Sequence, residues 1–68
     1  MTNCISQLRK ARKLTQQELA DELMVTRQTV ISLENGRYNA SLLLAHRIAV
    51  FFGLKIEDIF LFDEEDLT

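Results

Sequence analysis

The sequence predicts an all-α domain built from five short helices. Three observations support this prediction: apolar residues recur with the period of an α-helix, residues that favour helix starts precede these stretches, and helix-breaking residues are scarce. The chain contains no proline, and its two glycines, Gly36 and Gly53, stand where helices are expected to end. The 68 residues are expected to form one domain, 1–68, because ordinary domains take roughly 100 to 200 residues each.

Helix-start residues set the boundaries of the predicted helices. Thr15 and Glu18 have the spacing of a capping box, in which each side chain bonds the backbone amide of the other residue. Thr26 and Ser41 are further N-cap candidates, because a hydroxyl oxygen can accept a hydrogen bond from the first helical turn. The predicted helices cover, in chain order, about residues 3–12, 16–23, 27–35, 41–52 and 56–60.

Apolar residues within these helices are spaced three and four residues apart. This spacing places them on one face of each helix, and that face is expected to pack into the core. The residues predicted to face the core are Ile5, Leu8, Ala11, Leu19, Ala20, Leu23, Val30, Leu33, Leu44, Ala45, Ile48, Ala49, Phe52, Ile56, Ile59 and Phe60.

Composition excludes several classes of protein. Apolar residues make up 47% and charged residues 26%, which is typical of a soluble globular domain and not of a disordered chain. No apolar run approaches the roughly 18 residues of a membrane span, and the N-terminus lacks a signal pattern, so we expect a cytoplasmic protein with no membrane partner. A single cysteine, Cys4, and a single histidine, His46, are too few for a disulfide or a structural zinc site. We therefore expect no metal and no cofactor.

The connection between the second and third helices is unusually short, consisting of Met24, Val25 and Thr26. Two helices joined so closely must cross steeply, which is the geometry of a helix-turn-helix. The small residue Ala20 lies where the helices would approach each other most closely. The predicted helix-turn-helix covers residues 16–35.

The outer surface of these two helices is chemically distinctive. Arg27 suits a bidentate contact with guanine, Gln28 suits adenine, and the methyl group of Thr29 suits thymine, with Ser32 one turn further on. Gln16 and Gln17 open the second helix, where free backbone amides favour a phosphate. The alternative is that these are solvated surface residues, above all Gln17.

The sequence resembles the phage-repressor/Cro-type helix-turn-helix transcription regulators. The resemblance covers about residues 8–60 and includes the motifs LTQQELA, VTRQTV and LENGRYNAS. It implies the lambda-repressor-like DNA-binding fold, with the third helix in the major groove of double-stranded DNA and the second helix across the backbone. Base contacts are then expected from Arg27, Gln28, Thr29 and Ser32, and phosphate contacts from Gln16, Gln17, Thr26, Asn35, Arg37 and Tyr38.

The resemblance also implies structural features. It pairs Arg9 with Glu34 between the first and third helices, and breaking such a pair costs about 3–5 kcal/mol if it is buried. It suggests that the segment IFLFDEE forms a short strand against the N-terminus. Two positions depart from the family pattern: Met24 stands where a left-handed glycine is usual, at a cost of about 1–2 kcal/mol, and Ala40 stands where proline is common.

The formal net charge of −2 taken alone argues against a nucleic-acid binder. The charge is unevenly distributed, however, since residues 1–38 carry +2 and residues 39–68 carry −4. If the acidic half faces away from DNA, it repels little beyond a Debye length of roughly 8 Å. The acidic tail, 61–68, is expected to be solvated, because it lacks the loop of a calcium site.

The fourth helix carries apolar residues beyond its core face, and a surface of this kind usually marks a partner site. We expect a homodimer that places two recognition helices about 34–36 Å apart on a palindromic operator. The alternative is that some of these residues complete a thin core. The predicted interface residues are Leu43, Val50, Phe51, Leu54 and Phe62.

These observations predict a sequence-specific DNA-binding transcriptional regulator that acts as a repressor. The alternative is an antitoxin or another protein-interaction module in which DNA binding is secondary. An enzyme is not expected, because the sequence offers no nucleophile–base pair, metal set or phosphate loop.

Overall fold

Five helices and a pair of two-residue strands make up the described part of the chain, which comprises residues 2–37 and 40–61 of the computed structural model. The predicted all-α class with a short terminal strand is therefore confirmed. The elements are β1 (Thr2–Asn3), α1 (Ile5–Ala11), α2 (Gln16–Leu23), α3 (Arg27–Glu34), α4 (Leu42–Phe52), α5 (Ile56–Ile59) and β2 (Phe60–Leu61).

The two strands join the ends of the described chain. They are antiparallel, with Thr2 opposite Leu61 and Asn3 opposite Phe60. The side chain of Asn3 extends this connection inward: its Nδ2 donates to the carbonyl oxygen of Leu33 at 2.7 Å, and its Oδ1 accepts from the amide of Ile5 at 3.1 Å. The predicted strand segment IFLFDEE is thus confirmed at Phe60 and Leu61, and its remaining residues lie outside the described ranges.

The predicted helix starts are confirmed by their hydrogen bonds. Thr15 Oγ1 accepts from the amide of Glu18 at 3.0 Å, and Glu18 Oε1 accepts from the amide of Thr15 at 2.9 Å, which completes the capping box. Thr26 and Ser41 cap α3 and α4 through a single bond each: the hydroxyl of Thr26 accepts from the amide of Thr29, and that of Ser41 accepts from the amide of Leu44. α1 begins two residues later than predicted, because Asn3 belongs to β1 and Cys4 is the N-cap residue.

Left-handed backbone ends two of the helices at the predicted positions. Met24 closes α2 with φ 60° and ψ 42°, and Gly53 closes α4 with φ 68°. Gly36, at the predicted end of α3, has φ 71°. Lys13 has φ 59°, and the sequence did not predict a left-handed residue there. A glycine adopts this conformation freely, whereas Met24 bears a cost of about 1–2 kcal/mol there.

The core lies where the inward faces of the five helices and β2 meet. Most of the predicted core residues are buried, but Leu8 and Ile56 are only partly buried, and Ala11 is exposed, so that prediction was wrong. Ala11 follows Ile5 by six residues, which rotates it about 120° away from the core face of the helix. The buried residues are Ile5, Leu19, Ala20, Leu23, Val30, Leu33, Leu44, Ala45, Ile48, Ala49, Phe52, Ile59 and Phe60.

Within residues 2–37 and 40–61, no helix is both long enough and apolar enough to cross a membrane.

Candidate nucleic-acid interface

α2 and α3 form the helix-turn-helix that the sequence predicts. The turn is fixed by backbone bonds, since the amide of Val25 donates to the carbonyl of Ala20 at 3.0 Å and the amide of Met24 donates to that of Asp21 at 3.3 Å. Ala20 is fully buried, and Val25 packs against the core. The apolar faces of both helices are thereby occupied, so their polar faces form the outer surface.

The first turn of α3 presents the predicted base-reading residues. Arg27 and Gln28 are exposed, whereas Thr29 and Ser32 are half-buried. The hydroxyl oxygens of Thr26 and Thr29 lie 3.0 Å apart, and Thr26 also caps the helix. Within the described chain, the long side chains of Arg27 and Gln28 have no hydrogen-bond partner, so both can extend away from the protein.

An open polar hollow joins the N-terminal ends of α2 and α3. Its lining comes from three helices or their caps, and it places the predicted phosphate-binding Gln16 and Gln17 beside the predicted base-reading Arg27. Arg27 supplies a positive charge that no described carboxylate neutralises, whereas Arg9 is paired with Glu34, and the free amides of two helix N-termini add to the affinity for anions. The lining residues are Arg9, Thr15, Gln16, Gln17 and Arg27.

The ion pair between Arg9 and Glu34 is present and joins α1 to α3. Arg9 Nε donates to Glu34 Oε2 at 2.7 Å and Nη2 donates to Oε1 at 3.2 Å, while Nη1 donates to the carbonyl of Leu14 at 2.8 Å. The two side chains are only 12% and 7% exposed. The hydrogen bond to Glu34 raises the pKa of Arg9, and the charge of the carboxylate adds to this against an opposing effect of burial. Arg9 is therefore held in its charged form.

Gln16 is tied to the same carboxylate, a link that sequence reasoning missed. Its Nε2 donates to Glu34 Oε1 at 3.3 Å. Because an ionised carboxylate only accepts hydrogen bonds, the amide nitrogen of Gln16 must face Glu34. The bond joins residues 18 positions apart on different helices, and no spacing rule could have signalled it.

The other predicted phosphate contacts are placed as follows. Gln17 is exposed, and its amide donates to Asp21 Oδ1 at 2.9 Å, which is the ordinary pairing of residues four apart on a helix. Asn35 and Arg37 are exposed around the turn that ends α3. Tyr38 lies outside the described residues.

The outward side of α4 is apolar as well as its core side. Leu43 is 61% exposed and Val50 65%, and Leu54, which follows the helix, is 39% exposed. Phe51 is half-buried: it packs against the core and also lines a surface groove. Its ring lies 5.1 Å below the guanidinium carbon of Arg12. Phe62 lies beyond the described chain.

Among the described residues, three other large apolar side chains are exposed outside the predicted interface set. Leu42 is 81% exposed, Met24 78% and Leu61 54%.

The described residues contain no cluster of three or more side chains suited to a metal ion. Cys4 is half-buried at the start of α1, where its Sγ lies 3.5 Å from the carbonyl oxygen of Asp58. His46 is exposed on α4.

Comparisons with known proteins agree with this geometry. The chain is 56% identical over 66 residues to an uncharacterized HTH-type transcriptional regulator of Methanothermobacter thermautotrophicus, with 96% of each chain covered. It is 48% identical over 66 residues to an uncharacterized HTH-type transcriptional regulator of Methanocaldococcus jannaschii, covering 97% of this chain and 100% of that one. It is 36% identical over 55 residues to the immunity repressor protein of Bacillus phage phi105, covering 81% of this chain and 38% of the repressor.

A solved structure shows the same fold. The crystal structure of the restriction-modification controller protein C.AhdI from Aeromonas hydrophila is similar with a TM-score of 0.73 and 28% identity, covering 82% of this chain and 85% of that one. These relatives are named as transcriptional regulators, an immunity repressor and a controller protein. A family model described as helix-turn-helix matches residues 5–59. The chain therefore belongs to the helix-turn-helix family and is a transcriptional regulator with a helix-turn-helix DNA-binding domain.

Proposed function

We propose that this regulator binds a palindromic operator as a homodimer and represses transcription from it. The observation that carries the proposal is the exposure of Arg27 and Gln28 at the start of α3, in the same surface as the N-terminus of α2. The major groove, about 12 Å wide, admits a single α-helix, and these two side chains would then reach base edges. Thr29 and Ser32 would complete the base contacts from the same face of α3.

Contacts to the DNA backbone would fix the position of α3. Gln16, held by Glu34 through one amide hydrogen, retains a second hydrogen for a phosphate oxygen. Thr26 at the N-terminus of α3 and the exposed Asn35 and Arg37 beyond its C-terminus would contact phosphates on either side. Such contacts position the protein without reading sequence, so specificity would come from α3. Gln17 and Tyr38 are proposed for the same role from the sequence resemblance.

The apolar outer side of α4 supports the proposed homodimer. Leu43 and Val50 are exposed on one side of the helix, opposite to the residues that it buries, and Leu54 is exposed just beyond its C-cap. A symmetric contact between two copies would remove these side chains from water. Two copies of α3 would then meet two half-sites about 34–36 Å apart. Repression would follow from occupation of the operator. The similarity to a phage immunity repressor supports repression over activation.

Selection of bound DNA from a random pool tests the proposal. We expect a consensus with two-fold symmetry whose half-sites are separated by about one helical turn. Selection with the Gln28→Ala variant should return a degenerate base at one position of each half-site and leave the spacing unchanged. Recovery of no consensus by the wild-type chain would contradict sequence-specific binding. An asymmetric consensus would contradict the homodimer, and copurification of a different protein would favour a protein-interaction module instead.

A further inference from the structure

Met24 is an unfavourable residue for the isolated chain. It holds a left-handed conformation, φ 60° and ψ 42°, which penalises every residue with a Cβ atom. Its side chain is 78% exposed and therefore recovers little free energy by burial within the same chain. A glycine would satisfy the turn without strain. The exposed side chain is therefore available for a contact outside the chain.

Met24 lies in a surface groove between the end of α2 and the middle of α4. Its apolar lining consists of Met24, Val50 and Phe51. The edge from α2 carries the acidic Glu22, and the edge from α4 carries the basic Arg47 together with His46. Glu22 and Arg47 are both exposed, and neither forms an ion pair with another described residue.

We propose that this groove is a contact between two copies of the chain, in which Met24 of each copy packs on Val50 and Phe51 of the other. The inference rests on the proposed homodimer and adds a specific part to its interface. In a two-fold contact, the α2 edge of one copy faces the α4 edge of the second, and the reverse. Glu22 of each copy then faces Arg47 of the second copy. The opposite charges of the two edges make the groove complementary to itself, whereas a uniformly acidic or basic partner would meet a like charge on one edge.

The glycine substitution Met24→Gly separates the two effects of this residue. It should raise the thermal midpoint of the dilute monomer, because the strain of the turn is relieved. It should also raise the dissociation constant of the dimer about tenfold or more in sedimentation equilibrium, because a buried methionine is lost. Lys13→Gly is the matched control, since Lys13 has nearly the same φ of 59°, is exposed and is not among the residues that line the groove. It should raise the thermal midpoint and leave self-association unchanged.

A charge exchange tests the pairing of the two edges. Glu22→Arg and Arg47→Glu should each weaken self-association, and the double variant should restore it toward the wild-type dissociation constant. A single surface ion pair contributes little, so restoration in the double variant is more informative than the size of either loss.

The outcomes distinguish this contact from the homodimer as a whole. If Met24→Gly self-associates as tightly as the wild type while Leu43→Ser does not, the homodimer stands and the groove contact is overturned. Failure of the double charge exchange to restore association also overturns it. A wild-type chain that stays monomeric at high micromolar concentration overturns both the groove contact and the homodimer, and the DNA selection above then decides sequence-specific binding separately.

Discussion

The outer surface of α2 and α3 and the outer surface of α4 differ in almost every property that matters for binding. Around the α2–α3 hollow the side chains are polar, and Arg9 and Gln16 are held in place by hydrogen bonds to Glu34. On α4 the exposed side chains Leu43 and Val50 are aliphatic and carry no directional groups. The first surface is suited to discriminate among base edges, and the exposed aliphatic residues of the second are suited to associate by burying apolar area. On the proposed function, substitutions on the two surfaces should therefore change specificity and self-association separately.

Removal of the Glu34 carboxylate should have the largest effect on the free energy of unfolding. Of the two surfaces, it should disturb only the polar one, where Glu34 holds Arg9 and Gln16. Glu34→Ala leaves Arg9 unpaired at 12% exposure, and we expect a loss of about 3 kcal/mol in the free energy of unfolding. Urea denaturation measures it. The double variant Arg9→Met, Glu34→Leu should recover most of this loss, because no charge is then left unpaired. An Ala variant as stable as the wild type would show that the ion pair is not structural.

Substitution of Gln28 should affect DNA discrimination and not folding. Gln28→Ala should lose about 1–3 kcal/mol of preference for the selected site over a site changed at one base pair. Its unfolding free energy should change by less than about 0.5 kcal/mol, because the side chain is exposed. Arg37→Ala is the control: it should weaken binding to all sites alike and reduce the salt slope by about 1. Equal losses of discrimination in the two variants would contradict the division between base and phosphate contacts.

Substitution of Val50 should have the converse effect. Val50→Ser removes an apolar side chain that is 65% exposed, and we expect self-association to weaken about tenfold while the stability of the dilute monomer is retained. Leu42→Ser is the control, since Leu42 is 81% exposed but lies about 80° around the helix from Val50. Equal weakening by both substitutions would indicate nonspecific association.

The smallest effect is a pH dependence at the start of α2. Hydrogen bonds from the backbone and the side chain of Thr15 lower the pKa of Glu18 in the folded chain. Because the folded pKa is the lower one, this contribution to stability is complete above the pKa of the unfolded chain and is lost as the pH falls through the folded pKa. Glu18→Gln should therefore show a shallower loss of stability on acidification, measured by unfolding at several pH values. Superimposable pH profiles would contradict the assignment.

Local features of this fold were predictable from the sequence, and contacts between helices mostly were not. The capping box of Thr15 and Glu18 and the left-handed Gly53 follow from rules that involve only a few neighbouring residues, whereas the left-handed Met24 was expected through the family resemblance. The ion pair of Arg9 and Glu34 was expected through the family resemblance and not through spacing. The hydrogen bond from Gln16 to Glu34 depends on how α2 and α3 cross, and the spacing of residues along the sequence does not predict it.

The burial of apolar residues was likewise predictable where it depends on one helix and not where it depends on a neighbouring helix. Periodicity identified the core face of α4 fully, because five buried residues recur on one side of it. It could not distinguish Phe51, which is half-buried beside Arg12, from Val50, which is exposed. That distinction depends on α1, whose Arg12 covers the ring. Ala11 is exposed because it follows Ile5 by six residues and so lies about 120° around the helix from the core face.

The central claim is that two copies of the chain read one symmetric site through α3. A titration of the selected operator and of random DNA of the same length, followed by fluorescence anisotropy at physiological salt, tests it most directly. We expect two chains per operator and an affinity at least about 10³ times that for random DNA. Equal affinity for the two DNAs, or a single chain bound at saturation, would contradict the account.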